Sequence, residues 1–215
     1  MLRRAINTTL ELALTAGLVC LLFVVYEAWI TDIAADRRQA DVAHELRVQW
    51  QQPATADAQP APGDGFAFLH IPRFGHDWQR AVVEGVDPTE LGTGPGHYPG
   101  TAMPGQLGNF AMAGHRVGTG SPFLQLDELR SGDPVVVETA DTWFVYRVTA
   151  SEIVSPSASS AVWPVPDGRA DDVPTRAYLT MTTCNPKFSD RERLVVHALL
   201  DETVPKSESP QRPEV

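Results

Sequence analysis

Two side chains in this 215-residue sequence have the type and setting for covalent chemistry at a carbonyl group, the thiol of Cys184 and the imidazole of His115. Cys184 closes the run Tyr178-Leu-Thr-Met-Thr-Thr-Cys184, and the other cysteine, Cys20, lies in a long apolar stretch near the N-terminus. Lipid burial of Cys20 would keep the two thiols from meeting in a disulfide, so Cys184 is read as a free thiol, either a nucleophile or a small buried hydrophobe. A thiol nucleophile needs an acid or base within reach and a partner for the oxyanion. Among six histidines, His115 is distinguished because Gly108-Asn-Phe-Ala-Met-Ala-Gly114 reads as a strand that glycine releases into a loop mouth. His97, in Gly96-His-Tyr-Pro99, is the alternative and reads more simply as a turn residue.

Alternation along a strand puts Tyr178, Thr180, Thr182 and Cys184 on one face and Leu179, Met181 and Thr183 on the other. That polar face is either a solvated surface or the floor of a groove. Asn185 to Asp190 reads as a turn, followed by a strand that begins around Arg193. In a hairpin the end of the first strand meets the start of the second, which brings Arg193 beside Cys184. Arg191 has the same parity, so alternation alone does not choose between the two arginines. His197 shares the face, but four strand residues carry it about 13 Å from Arg193 at about 3.3 Å per residue, and it is read as structural.

The elements that must position these groups are short apolar runs separated by Pro and Gly: 66–71, 80–84, 109–114, 135–139, 143–150, 178–184 and 194–200. Their length and spacing predict an all-β barrel or sandwich. Phe123, Leu126 and Leu129 at intervals of three, after Ser121-Pro122, predict one helix or helical turn over 121–129. Residues 155–176 form a long Ser-, Pro- and Asp-rich connection of the kind that serves as a lid.

From Leu10 to Ile30 the chain is apolar apart from Glu11, Thr15, Gly17 and Glu27, and about 20 helical residues span a bilayer core of about 30 Å. Arg3 and Arg4 before this stretch and Asp32 after it put the N-terminus in the cytoplasm and the rest of the chain outside. The run is long for a cleaved signal peptide and offers no clean small-x-small site, so it is read as a signal anchor. Val42, Leu46 and Trp50 give a juxtamembrane helix with one apolar stripe, taken as a spacer. Pro53, Pro60, Pro62, Gly63 and Gly65 mark a semi-rigid linker, able to hold a domain tens of Å above the membrane. The expected organisation is therefore a cytoplasmic N-terminus and anchor over 1–30, helix and linker over 31–63, a catalytic domain over 64–203, and a disordered tail over 204–215. A net charge of -10 and the lack of a basic cluster exclude nucleic acid as a partner. One cysteine outside the anchor, with no His-x3-His pair or Glu-rich loop, gives no reason to expect a required metal or other cofactor.

Three ordered runs together resemble the sortase family: Gly94-Pro-Gly-His-Tyr-Pro-Gly-Thr-Ala-Met-Pro-Gly105, Gly108-Asn-Phe-Ala-Met-Ala-Gly-His-Arg116, and Leu179-Thr-Met-Thr-Thr-Cys-Asn-Pro186 with Arg193 nine residues past the cysteine. The resemblance covers roughly residues 64 to 203 and is nearest to class E sortases of high-GC Gram-positive bacteria. It implies a closed β-barrel of about eight strands with one or two short helices, and a cysteine transpeptidase. By the resemblance Cys184 is the nucleophile, His115 the acid or base, Arg193 the oxyanion cation, and Thr183 a substrate contact. Met181 stands where the family usually has Leu, a volume-conserving swap that leaves catalysis untouched.

The resemblance further implies a membrane-anchored enzyme that cleaves a Leu-Ala-x-Thr-Gly type sorting signal of surface proteins between Thr and Gly. A peptidoglycan amine is the implied acceptor, with a pilin lysine as the alternative. The competing reading from another class is a catalytically idle surface domain that binds wall proteins.

Overall fold

A ring of eight strands closes on itself in the order β1-β2-β3-β4-β7-β8-β6-β5. The computed structural model describes residues 2–52 and 59–215. The strands are β1 (Gly65–His70), β2 (Gln79–Glu84), β3 (Gly96–His97), β4 (Gly108–Ala113), β5 (Pro134–Glu138), β6 (Thr142–Val154), β7 (Ala177–Asn185) and β8 (Glu192–Pro205). The β2–β3 and β4–β7 pairs are parallel and the others antiparallel. The barrel expected from the resemblance is thus present, and seven of its strands fall on the seven apolar runs.

Strand alternation builds the interior. Ala67 and Leu69 of β1, Phe110 and Met112 of β4, Leu179 and Met181 of β7, and Val196 and Ala198 of β8 meet in one buried cluster. Met181 is fully enclosed there, as its place in a volume-conserving swap requires. The phenol of Tyr146 is buried and accepts a hydrogen bond from the Gly105 amide at 2.8 Å. Burial pushes the pKa of that phenol up to about 12.

One expected element is shorter than the segment assigned to it, and another does more. The helix or helical turn predicted over 121–129 is a 3-10 turn at Leu126–Glu128, and Phe123, Leu126 and Leu129 enter the core. The short connection lets all three apolar side chains reach the barrel without a regular helix. The spacer helix is also more than a spacer. Helix α1 runs from Leu2 to Gln49 without a break, and its second half lies on the outside of β1 and β2. Leu46, with Val42, Ala43 and Trp50 around it, covers Phe68 and Ala81, the outward-facing apolar residues of those strands. The Gln39 amide adds a two-way clamp, donating to the Ala81 carbonyl at 2.9 Å and accepting from the Ala81 amide at 2.8 Å. Arg38 donates to the Gly92 carbonyl at 2.7 Å.

Within α1, Ile6–Phe23 is long and apolar enough to cross a membrane, and none of it is buried against the barrel. Of the linker, residues 53–58 lie outside the described residues. The tail differs from the disorder expected past Val204: β8 continues to Pro205, and the Trp143 indole N–H donates to the Ser209 carbonyl at 3.1 Å. Lys206 sits between the Trp50 and Trp143 rings, 4.5 and 4.9 Å from their centroids, and donates to Glu138 at 2.7 Å. Apolar rings and a buried carboxylate in need of a cation give this segment a reason to dock.

Candidate active site

The register of the β7–β8 pair sets Cys184 directly opposite Arg193. Arg191 precedes β8 in the exposed turn, so register separates two arginines that parity could not. Cys184 is a half-buried free thiol. The Arg193 guanidinium is held by the carbonyls of Asp190 at 2.8 Å and Glu192 at 3.0 Å, which fixes the side chain at the mouth of the hairpin.

On the other side of β7, parallel β4 sets Ala113 opposite Thr182. Beyond the last ladder pair, the Gly114 amide donates to the Thr182 carbonyl at 3.1 Å, and the Thr183 hydroxyl donates to the Gly114 carbonyl at 2.7 Å. His115 lies two residues past the last ladder pair, and these Gly114 contacts carry it to the Cys184 end of β7. Gly114 has no room for a side chain, since a Cβ there would meet the Phe123 ring at 2.6 Å. His115 is half-buried, and desolvation lowers its pKa below the ordinary histidine value, which favours the neutral ring. The alternative histidine, His97, is 2% exposed inside the barrel wall, bonded to Glu84 at 2.6 Å and Thr101 at 2.8 Å. Those bonds occupy both ring nitrogens of His97 and suit a structural residue.

Thr182, on the face it shares with Thr180 and Cys184, lines a groove. The cavity, of about 220 Å³, is lined also by Arg193 and Val195, with Tyr98 on one flank and Ser157, Ser159 and Val162 of the β6–β7 connection on the other. The Tyr98 hydroxyl lies 3.1 Å from that of Thr182. The 3-10 turn Ser159–Val162 is tied down by Asn109, whose amide donates to the carbonyls of Ala161 and Trp163 at 3.0 Å each. Thr183 faces away from this groove and is 3% exposed, its hydroxyl committed to Gly114.

Sequence reasoning passed over Arg116. Its guanidinium is nearly enclosed, donating to the Cys184 carbonyl at 3.3 Å and the Asn185 side chain at 3.2 Å, with Asp127 at 3.1 Å. It follows His115 in the chain and binds the backbone of Cys184, so one side chain spans both candidate groups. The signal in the sequence was an arginine inside the His115-Arg116 pair, with no partner to name for it. Further along the same floor, Glu152, Asp167 and His197 offer ligand atoms within 4.8 Å of one another.

The arrangement is a thiol with a cation on one side and a neutral imidazole on the other, at the end of a peptide-sized groove. Such a set can add a thiol to a carbonyl, stabilise the oxyanion and move a proton to a leaving amine.

Residues 69–201 match the sortase domain. The chain is 38% identical over 205 residues to sortase SrtE1 of Streptomyces coelicolor, covering 92% of this chain and 57% of that protein, so it spans little more than half of that relative. Among solved structures, sortase E from Streptomyces avermitilis is similar at a TM-score of 0.63 and 41% identity, over 72% of this chain and 97% of that one. Sortase E1 from Streptomyces coelicolor, solved with a tripeptide in its active site, is similar at a TM-score of 0.63 and 39% identity, over 73% of this chain and 98% of that one. With a closed eight-stranded barrel, a cysteine at the end of β7 and this breadth of sequence identity, the chain belongs to the sortase family.

Proposed function

We propose that this chain is a membrane-anchored cysteine transpeptidase with Cys184 as nucleophile, His115 as acid and base, and Arg193 as oxyanion cation. The observation that carries the reading is the β7–β8 register with Arg193 opposite Cys184, supported by the Gly114 contacts to Thr182 and Thr183 that carry His115 toward the same end of β7. The substrate is a Leu-Ala-x-Thr-Gly type sorting signal of a surface protein, lying in the groove between Tyr98 and the β6–β7 connection. The related sortase E1 with a tripeptide in its active site supports a peptide occupant.

In this reading neutral His115 takes the proton as the Cys184 sulfur attacks the Thr carbonyl. The tetrahedral oxyanion forms beside Arg193, whose fixed charge in a partly dry groove is worth more than it would be in water. The C–N bond to Gly breaks, His115 returns its proton to the leaving amine, and a thioester remains. A peptidoglycan amine then attacks the thioester carbon and restores the thiol. Thr183 acts on this sequence through the Gly114–His115 backbone that its hydroxyl holds. Ile6–Phe23 anchors the chain, with the N-terminus cytoplasmic and the barrel outside.

The test is cleavage of a Leu-Ala-x-Thr-Gly peptide by the full chain in detergent, with mass spectrometry of the products formed in the presence of candidate amines. Cys184→Ala should abolish cleavage and the enzyme-bound thioester. Retained cleavage in that variant would rule out the assigned nucleophile.

A further inference from the structure

We propose that Glu152, Asp167 and His197 form a binding site for a divalent transition-metal ion of the zinc class, which clamps the β6–β7 connection onto the barrel floor. The three residues come from separate places, β6, the connection itself and β8. The His197 ring is nearly enclosed, with Nε2 3.4 Å from Glu152 Oε1 and 3.5 Å from Asp167 Oδ2.

Those distances set this histidine apart. His97 meets Glu84 at 2.6 Å, His76 meets Asp77 at 2.7 Å and His70 meets Glu138 at 2.9 Å, the separations of charge-assisted hydrogen bonds. His197 stands half an ångström or more farther from its two carboxylates than these histidines do from theirs. Ligand atoms bound at about 2.0 to 2.1 Å around a tetrahedral ion lie about 3.3 to 3.4 Å from one another. The two His197 distances match the edges of such a polyhedron, and the hydrogen bond to Glu152 is a long one.

The surroundings agree. Nδ1 of His197 lies 2.9 Å from the Thr180 hydroxyl, and an Nδ1–H donated to that oxygen leaves the Nε2 lone pair facing the two carboxylates. A fixed second-nitrogen contact of this kind orients most metal-binding histidines. One imidazole and two carboxylates suit zinc and its neighbours, whereas calcium would need six to eight oxygens that these three residues do not supply. An ion here would leave one position of a tetrahedron for water.

The ion would act on the groove through Asp167. The Asp167 amide donates to the Ser160 carbonyl at 3.1 Å, and Ser160 lies in the 3-10 turn whose residues form the groove flank. Asn109 already holds that turn from one end, and the ion would hold it from the other. The ion lies four strand residues from Arg193, about 13 Å away, so it orders the peptide site without touching the reacting atoms. Only this effect on the groove rests on the transpeptidase reading; the ligand set does not.

The experiment uses the full chain in detergent micelles carrying Cys184→Ala, which removes the competing thiol. Zinc sulfate is titrated by calorimetry, and trypsin cleavage after the exposed Arg169 is followed in parallel. One saturable site is expected, with zinc slowing cleavage at Arg169, and Asp167→Asn or Glu152→Gln should each weaken binding at least about tenfold. Thr180→Val should weaken it less. Binding of a Leu-Ala-x-Thr-Gly peptide should tighten with zinc in the parent and not in Asp167→Asn. The absence of saturable zinc binding, equal affinity in both carboxylate variants, or equal protection by calcium would each overturn the site. Zinc binding with no peptide binding at all would leave the site standing and count against the proposed function instead.

Discussion

The Thr183 hydroxyl lies 2.7 Å from the carbonyl oxygen of Gly114, so the residue before Cys184 is stitched to the residue before His115. Two candidate catalytic groups 69 positions apart in sequence are thereby held by one short bond between their immediate neighbours. Both ends are buried, where a lost partner is costly and a kept one is rigid.

Replacing Thr183 by Val keeps the shape and removes the donor. The change should cost about 1 to 3 kcal/mol of stability and lower kcat for peptide cleavage. Thr183→Ser, which keeps the hydroxyl, should retain most of the activity. Thermal unfolding and steady-state kinetics of the two variants check this, and equal behaviour would mean that the hydroxyl is not what matters.

Arg116 touches the Cys184 carbonyl, Asn185 and Asp127, and no candidate reacting atom. As a positioning residue it should affect kcat far more than KM. Arg116→Gln is expected to lower kcat by about 100-fold, the scale of an ångström-level misplacement, with Arg116→Lys recovering part of the loss. A rise in KM with kcat unchanged would place Arg116 in peptide binding instead.

His115 has its pKa lowered by burial, from an ordinary value of 6.5. As pH falls through that value the unfolded chain takes up a proton before the folded chain does, so stability declines until folded His115 also protonates. His115→Asn should therefore lose less thermal stability than the parent between pH 7.5 and 5.5. In the active enzyme the acid limb of kcat/KM should lie below pH 6.5, because the neutral ring is the form that accepts the thiol proton.

Glu138 shows linkage of the same sign, from a different cause and at lower pH. Burial would raise its pKa, but hydrogen bonds from His70 and Lys206 outweigh that and hold it below the ordinary carboxylate value. Its contribution is present above the unfolded carboxylate pKa and is lost as pH falls through the lower, folded one. Glu138→Gln should cost about 1 to 3 kcal/mol at neutral pH and flatten the acid side of the stability profile. Denaturant titrations of parent and variant at several pH values read this directly.

The docked half of α1 is testable through one amide. The Ala81 N–H donates to the Gln39 side chain at 2.8 Å, so undocking of the helix removes that acceptor. Leu46→Ala removes a buried side chain worth about 2 kcal/mol or more and should speed hydrogen exchange at Ala81 by roughly 30-fold, leaving β7 amides unchanged. Faster exchange across the whole barrel would mean that the helix and the barrel unfold as one unit.

Seven strands were legible because each alternates or runs apolar over at least five residues between Pro and Gly. The missing strand, β3, is two residues long and is defined by its neighbours β2 and β4, which no local pattern records. Cys184 was legible as a solitary thiol at a strand end, and Arg193 as one of two arginines that only register could separate. Arg116, Asn109 and the Glu152, Asp167 and His197 set were not legible. The hydrogen-bond partners are 52 to 69 positions away for the first two, and the last set is spread over three elements, so these contacts exist only once the barrel closes. Over 121–129 the helical turn was legible but its extent was not, since intervals of three mark which side chains go inward and not how the backbone carries them.

The ring order places β1 and β2, which carry α1, across the barrel from β7 and β8, which carry the groove. The protein is therefore mounted by its back. Ala35, a buried residue of α1, follows Phe23 by only 12 residues, about 18 Å of helix. With Ile6–Phe23 in a bilayer, the barrel rides low and its open flank looks sideways, away from its own stalk. Under the proposed function, a client tethered in the same membrane would approach that flank without meeting the stalk, and the width of the barrel would set how far apart the two tethers stand.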